Sequence, residues 1–202
     1  MAMRYRFSCA ALVAVFIALS ATLAGAQCVT GTVTAEFQTS GPFNNLWKYT
    51  AVVTWDTNQG LSNVTLECGF GACPEQACAQ TYLFDAPGGT SDGTTGPPNP
   101  QPCVAEYVGE FNCGGNPSIG WTDPVIKWDA VNGGCEPEKV GTATLCFYTN
   151  LGPSENSQLP IVLIKNGTSV CEGTLTGQCP AAPCSVPVEE TNWGQVKAGF
   201  EK

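Results

Sequence analysis

The chain contains no histidine. That removes the commonest general acid–base group and the commonest metal ligand. A Ser-His-Asp or Cys-His catalytic arrangement is therefore excluded within one chain. No Ser-x-x-Lys spacing occurs, so a Ser-Lys hydrolase has no motif either. No Cys-x-x-Cys pair exists, which removes the usual thioredoxin-like and zinc-knuckle signatures. Charged residues are scarce at 12%, and only 8 are Lys or Arg against 17 Asp or Glu. A net charge of −9 offers no basic surface to phosphates, so nucleic acid is not an expected partner.

What is present is 202 residues, 43% of them apolar, with 23 Gly, 15 Pro and 12 Cys. The length suits one domain with a true core, and the Gly and Pro content predicts many turns and few long helices. Residues 1–26 have the form of a secretory signal peptide. Arg4 and Arg6 supply a basic start, the run after Ala10 an apolar stretch, and Ala24-Gly25-Ala26 a small-residue cleavage pattern. The apolar run is shorter than the ~20 residues of a spanning helix, and no other segment would span once the leader is cleaved. The expected organisation is a leader at 1–26, a folded domain at 27–184 and a tail at 185–202. The expected location is secreted, extracellular or on the cell surface.

Cleavage would remove Cys9 and leave Cys28, Cys68, Cys73, Cys78, Cys103, Cys113, Cys135, Cys146, Cys171, Cys179 and Cys184. In an exported chain these are disulfide candidates, and the odd number leaves at least one free or paired outside the chain. The Cys68-x4-Cys73-x4-Cys78 spacing does not suit zinc. The loop that carries it has little apolar content and needs a staple. Cys179 and Cys184 bracket Pro180-Ala-Ala-Pro183, where a bridge would close a small loop.

Alternation of period two dominates the mature chain. Val29, Val33 and Phe37 share one strand face, opposite Thr30, Thr32 and Thr34. In 47–55, Trp47, Tyr49, Ala51, Val53 and Trp55 align, and 61–68 places Val64, Leu66 and Cys68 together. With the turn 56–60 between them, these two strands read as a hairpin. Asp56-x-Asn58-x-Gly60 imitates the start of a calcium loop but lacks its later acidic ligands, so a capped turn is the better reading. Residues 86–102 hold five Pro, four Gly and no large apolar residue, and read as a surface loop. Strand patterning resumes at 103–111, weaker strands are expected at 124–130 and 141–149, and a short one at 81–85. Asn166-Gly167 between two β-rich runs is a strong type I′ hairpin signal. About nine strands predict an all-β, disulfide-stapled, antiparallel two-sheet β-sandwich, Ig-like or jelly-roll-like; a closed barrel is the second architecture. In 191–201, Trp193, Val196 and Phe200 lie on one helical face, predicting a short C-terminal helix and a candidate recognition element.

Two segments carry a resemblance. Trp47-x-Tyr49-x-Ala51-x-Val53-Thr54-Trp55, followed by Gly60-Leu61-Ser62-x-Val64-Thr65-Leu66, resembles the opening strands of small β-sandwich modules of exported bacterial surface proteins. The tail Thr191-Asn192-Trp193-Gly194-Gln195-Val196-Lys197 resembles a terminal Trp-Gly-x-x-Lys signature of some secreted bacterial proteins. The resemblance implies an exported, surface-associated, non-enzymatic module and brings no catalytic residue.

The function expected from these features is a secreted binding or structural module of the cell surface or matrix. It needs no cofactor and no metal, and its partner is a protein or a glycan. Trp121, in the polar stretch Ile119–Pro124, is the candidate stacking platform if the module binds carbohydrate. A secreted hydrolase with a carboxylate pair is the rival from another class; Glu106 and Glu110 share a strand face but read as a solvated one. Asn63-Val64-Thr65 and Asn166-Gly167-Thr168 match the N-glycosylation pattern.

Overall fold

The computed structural model describes residues 28–154, 160–181 and 183–184. The leader, the tail with Trp193, Val196 and Phe200, and the expected C-terminal helix lie outside the described residues. The described chain is dominated by strands: β1 (Val29–Phe37), β2 (Trp47–Asp56), β3 (Asn63–Glu67), β4 (Tyr82–Leu83), β5 (Gly89–Thr95), β6 (Pro102–Asn112), β7 (Val125–Ala130), β8 (Cys135–Pro137), β9 (Val140–Thr149), β10 (Ile161–Asn166), β11 (Ser169–Thr174) and β12 (Thr176–Gly177). One short helix, α1 (Pro74–Cys78), and two 3-10 turns, Phe70–Ala72 and Pro117–Ile119, interrupt them.

The ladders join all twelve strands into one sheet, ordered β11-β10-β3-β7-β6-β5-β9-β2-β1-β12, with β4 on β9 and β8 on β5. Where the sequence reading expected two sheets, the hydrogen bonds run through a single sheet that comes nearly full circle. Leu175 alone separates β11 from β12, and β12 pairs parallel to β1, Thr32 opposite Thr176. The Cys28–Cys171 bridge ties the first strand to β11 across the same seam.

The inward positions follow the alternation. Tyr49, Val53, Trp55, Leu66, Tyr107, Trp128, Leu145, Phe147 and Ile164 are among the fully buried side chains. Their polar tips are satisfied, as burial requires. Trp55 Nε1 donates to Glu138 O at 3.0 Å, Tyr49 OH to Leu151 O at 3.0 Å, and Trp128 Nε1 to Cys146 O at 3.3 Å. Tyr107 OH and Ser91 Oγ share a bond of 3.0 Å.

Two local expectations change. Strands β2 and β3 are not a hairpin: β2 lies between β1 and β9, while β3 lies between β10 and β7. The 57–62 connection crosses an end of the barrel instead, held by Thr57 N to Lys139 O (2.9 Å) and Ser62 N to Lys165 O (2.7 Å). The stretch 86–102 is not wholly a loop. Residues 89–95 form β5, a strand inside the sheet, paired to β6, β8 and β9. Its glycines are what admit it. A Cβ at Gly89 would lie 2.7 Å from Thr144 O, and one at Gly93 2.6 Å from Glu136 O and 2.8 Å from Cys135 Sγ. A β10–β11 hairpin forms at this place, but Asn166 pairs with Ser169, so Gly167 and Thr168 are its central residues. Of the two, Gly167 alone has positive φ, +62°, which corrects the expected type I′ turn to one with glycine at its first central position, as in type II′.

Five disulfides form: Cys28–Cys171, Cys68–Cys179, Cys73–Cys184, Cys78–Cys113 and Cys103–Cys135; Cys146 is free. Among the described residues Cys146 is the one unpaired thiol. The local Cys179–Cys184 loop does not form, because both residues reach back to the loop after β3. No helix among the described residues is long and apolar enough to cross a membrane.

Candidate functional site

The main concavity, about 800 Å³, lies where β3 begins and β7 and β10 end. One wall is the 59–63 connection, the other the 129–137 segment, and the β10–β11 turn borders it with Lys165 and Gly167. Its lining is polar and rich in glycine: Ser62, Asp129, Asn132, Glu136 and Lys165 line it over the buried Asn63, between Gly60, Gly133, Gly134 and Gly167. No aromatic residue lines it. Such a surface presents amides, carboxylates, one ammonium and accessible backbone, a set that matches hydroxyls and amides of a polar ligand.

Register explains the convergence. Lys165 pairs with Asn63 and Asn63 with Asp129, so three polar side chains from three neighbouring strands stand in one row on the outer face. Asp129 accepts from Lys127 Nζ at 2.6 Å, and Glu110 accepts from the same ammonium at 3.4 Å. Burial pulls the Lys127 ammonium down, but the bonds and charges of Asp129 and Glu110 outweigh it and hold the group above the ordinary lysine range.

An arm formed by residues 113–124 crosses the outer face of β3 beside the cleft. Every residue of β3 is buried, on both faces. Asn116, 1% exposed, pins the arm. Its Nδ2 donates to Thr65 Oγ1 at 2.7 Å and to Asn63 Oδ1 at 3.5 Å, while its Oδ1 accepts from Ser118 N and Oγ at 3.2 and 2.7 Å. Leaving such buried groups unpaired costs about 1–3 kcal/mol each. The sequence reading missed Asn116, because only the fold shows that it faces Thr65.

This network also decides the glycosylation patterns. Asn63 is 5% and Thr65 0% exposed, and Asn166 is 5% exposed, so neither acceptor amide is accessible in the folded chain. Trp121, the candidate platform, sits in the arm half-buried, outside the cleft; its backbone N–H donates to Asn116 O at 3.1 Å, and its indole Nε1 is shielded with no hydrogen-bond partner among the described residues. Trp47 packs against the core and Trp55 lies within it.

Glu106 and Glu110 stand on the exposed face of β6 on either side of Val108, and Glu110 is taken up by Lys127. A different carboxylate pair forms at the end of β3. Glu67, 7% exposed, accepts from Gly69 N, and Asp123 lies close enough to raise it further. Burial is the main cause that pushes the Glu67 carboxyl above the usual range, the Gly69 and Phe70 amides oppose it, and Asp123 adds repulsion. Glu67 and Asp123 lie outside the cleft lining. In the 56–60 turn, Thr57 Oγ1 donates to Gln59 O at 2.7 Å within the turn and to Lys139 O at 3.0 Å across to the neighbouring segment, as a capped turn does.

Comparison with protein-family models, with curated proteins and with solved structures finds no match for this chain.

Proposed function

We propose that the chain is an exported, non-enzymatic binding module of the cell surface or extracellular matrix, and that the polar cleft at the end of its barrel is the ligand seat. The observation that carries this reading is the cleft's composition: polar side chains from separate strands converge between glycines on a stapled scaffold. Export is supported by the leader pattern and by five disulfides, which persist in oxidising compartments. The partner fitting this lining is an uncharged or weakly charged polar segment, a glycan or an extended peptide. The tail 185–202, with Trp193, Val196 and Phe200 in helical spacing, is the proposed anchoring element.

Purified protein applied to a glycan array and to a panel of matrix proteins tests the reading. A ligand should be lost on Lys165→Ala and on Gly133→Trp, which fills the cleft, and kept on Thr54→Ala on the opposite face. A ligand kept by both cleft variants but lost on Trp121→Ala would overturn the cleft and favour a carbohydrate module built on the arm.

A further inference from the structure

The chain holds two Asn-Gly pairs, Asn132-Gly133 and Asn166-Gly167, and the fold treats them in opposite ways. Asn132 is exposed on the cleft rim, and no partner bonds its carboxamide among the described residues. Space around the next residues is open. A Cβ at Gly133 would meet only Val131 Cγ1 at 3.8 Å, and one at Gly134, which has φ +87°, would meet nothing within 4 Å. One bond restrains Gly133, from its N–H to Val131 O at 2.8 Å. Asn166 is 5% exposed and ends a ladder strand, Gly167 N–H donates to Ser62 Oγ at 3.2 Å, and the Gly167 backbone lies against the Gln59 side chain.

We propose that Asn132 is a spontaneous deamidation site, and that it writes a new negative charge onto the cleft rim as the exported protein ages. The Gly133 backbone nitrogen attacks Asn132 Cγ and loses its proton, the Cγ–amide bond breaks, and ammonia leaves with that proton. The succinimide that results adds one water at either carbonyl, which gives aspartate or isoaspartate at position 132. No oxidant, reductant or enzyme enters. Glycine is the residue this step favours, since a side chain at 133 would hinder the attacking nitrogen and restrict the backbone rotation that ring closure needs. The product adds a third acid to Asp129 and Glu136, against Lys165 as the cation of the lining. The chemistry stands independently of the cleft's role; only its consequence for binding rests on the proposed ligand seat.

The test incubates the folded, disulfide-intact protein in mildly alkaline buffer and samples it over days. Digestion under acidic conditions and mass spectrometry then locate each conversion, isoaspartyl methyltransferase labelling identifies isoaspartate, and isoelectric focusing reads the added charge. Position 132 should convert first. Position 166 should lag by at least about tenfold, the factor imposed by a local opening free energy of about 1.4 kcal/mol. Gly133→Val, which the open space tolerates, should slow conversion at 132 several-fold without lowering the melting temperature. Equal or faster conversion at 166, or no effect of Gly133→Val in a chain that melts normally, overturns the proposal. All readouts are made without a ligand, so failure of the ligand seat leaves them unchanged.

Discussion

The two sides of the barrel are held together by different means. On one side β1, β2 and β9 pair over long, unbroken ladders, nine positions between β1 and β2 and ten between β2 and β9. Their outer face is a threonine field: Thr30, Thr54 and Thr142 stand in one row, Thr34 and Thr50 in another, and the free Cys146 lies beside Thr50. On the other side β3 pairs over five positions with β10 and four with β7. That outer face is covered by the 113–124 arm, and three disulfides, Cys68–Cys179, Cys73–Cys184 and Cys78–Cys113, converge on the loop after β3 and the arm. On the first side, long ladders and the inward core residues Val33, Tyr49, Val53, Trp55 and Leu145 hold the strands together, with one bridge, Cys28–Cys171, at its edge. On the second side the ladders are short and much of the covering chain is irregular, with Phe70 and Ala77 its buried anchors, and covalent links supply what the short ladders lack.

Releasing the arm should give the largest effect on this contrast. Replacement of Cys78 and Cys113 together by serine should cost about 2–4 kcal/mol. In a domain of this size that lowers the melting temperature by roughly 5–15 °C. Cys146→Ser on the threonine side should change stability by less than about 0.5 kcal/mol. Thermal unfolding of the two variants side by side checks the pair. Equal losses would mean that the arm is no more dependent on its staple than the open face is on its thiol.

A smaller effect, with a distinctive pH signature, is expected at Glu67 under the arm. Its folded carboxyl titrates above the ordinary range, chiefly through burial. The folded state therefore retains a proton that the unfolded chain releases, and stability falls as pH rises from the unfolded value through the folded one. The contribution is complete in acid and lost towards neutrality. Glu67→Gln keeps an oxygen for the Gly69 amide and removes the charge. It should raise the melting temperature at neutral pH and leave the acidic value nearly unchanged, so that the two proteins converge as pH falls. Parallel curves across the mildly acidic range would show that Glu67 is not the titrating group.

The same contrast marks what the amino-acid order reveals. The threonine side is legible because alternation is its whole content: Val33, Ala51, Val53 and Leu145 point inward, and threonines outward. The β10–β11 hairpin is legible in place but not in type: Gly167, at φ +62°, marks the turn, while Asn166 stays in the ladder opposite Ser169. The number of cysteines after residue 26 matches the single unpaired thiol among the described residues, but does not reveal that Cys179 and Cys184 part company for Cys68 and Cys73. β5 is hidden because a strand that admits close neighbours must be made of glycine and small residues, and so has the composition of a loop. Asn116 and Asp123 are hidden for a different reason. Each matters through contacts between the arm and β3, and no local pattern encodes partners so distant in sequence. The cleft is legible only in pieces, since Asn63, Asp129 and Lys165 become neighbours through register between strands that are not consecutive.

The smallest effect belongs to the threonine field. Thr54 Oγ1 and Thr142 Oγ1 face each other at 2.9 Å, and both side chains are exposed. Cross-strand pairs of this kind contribute about 0.2–1 kcal/mol, and water competes for an exposed hydroxyl pair, which places this one at the low end. Thr54→Val and Thr142→Val retain the branched shape that suits a strand while removing the hydroxyls. Each variant, and the double variant, should unfold within about 0.5 kcal/mol of the parent, with a coupling energy smaller still. A double-mutant cycle by urea unfolding measures this directly. A coupling above about 1 kcal/mol would mean that the hydroxyl rows act as a network and not as independent solvated side chains. The threonine side would then owe part of its stability to its surface, and the contrast with the stapled side would narrow from ladders against staples to one kind of polar network against another.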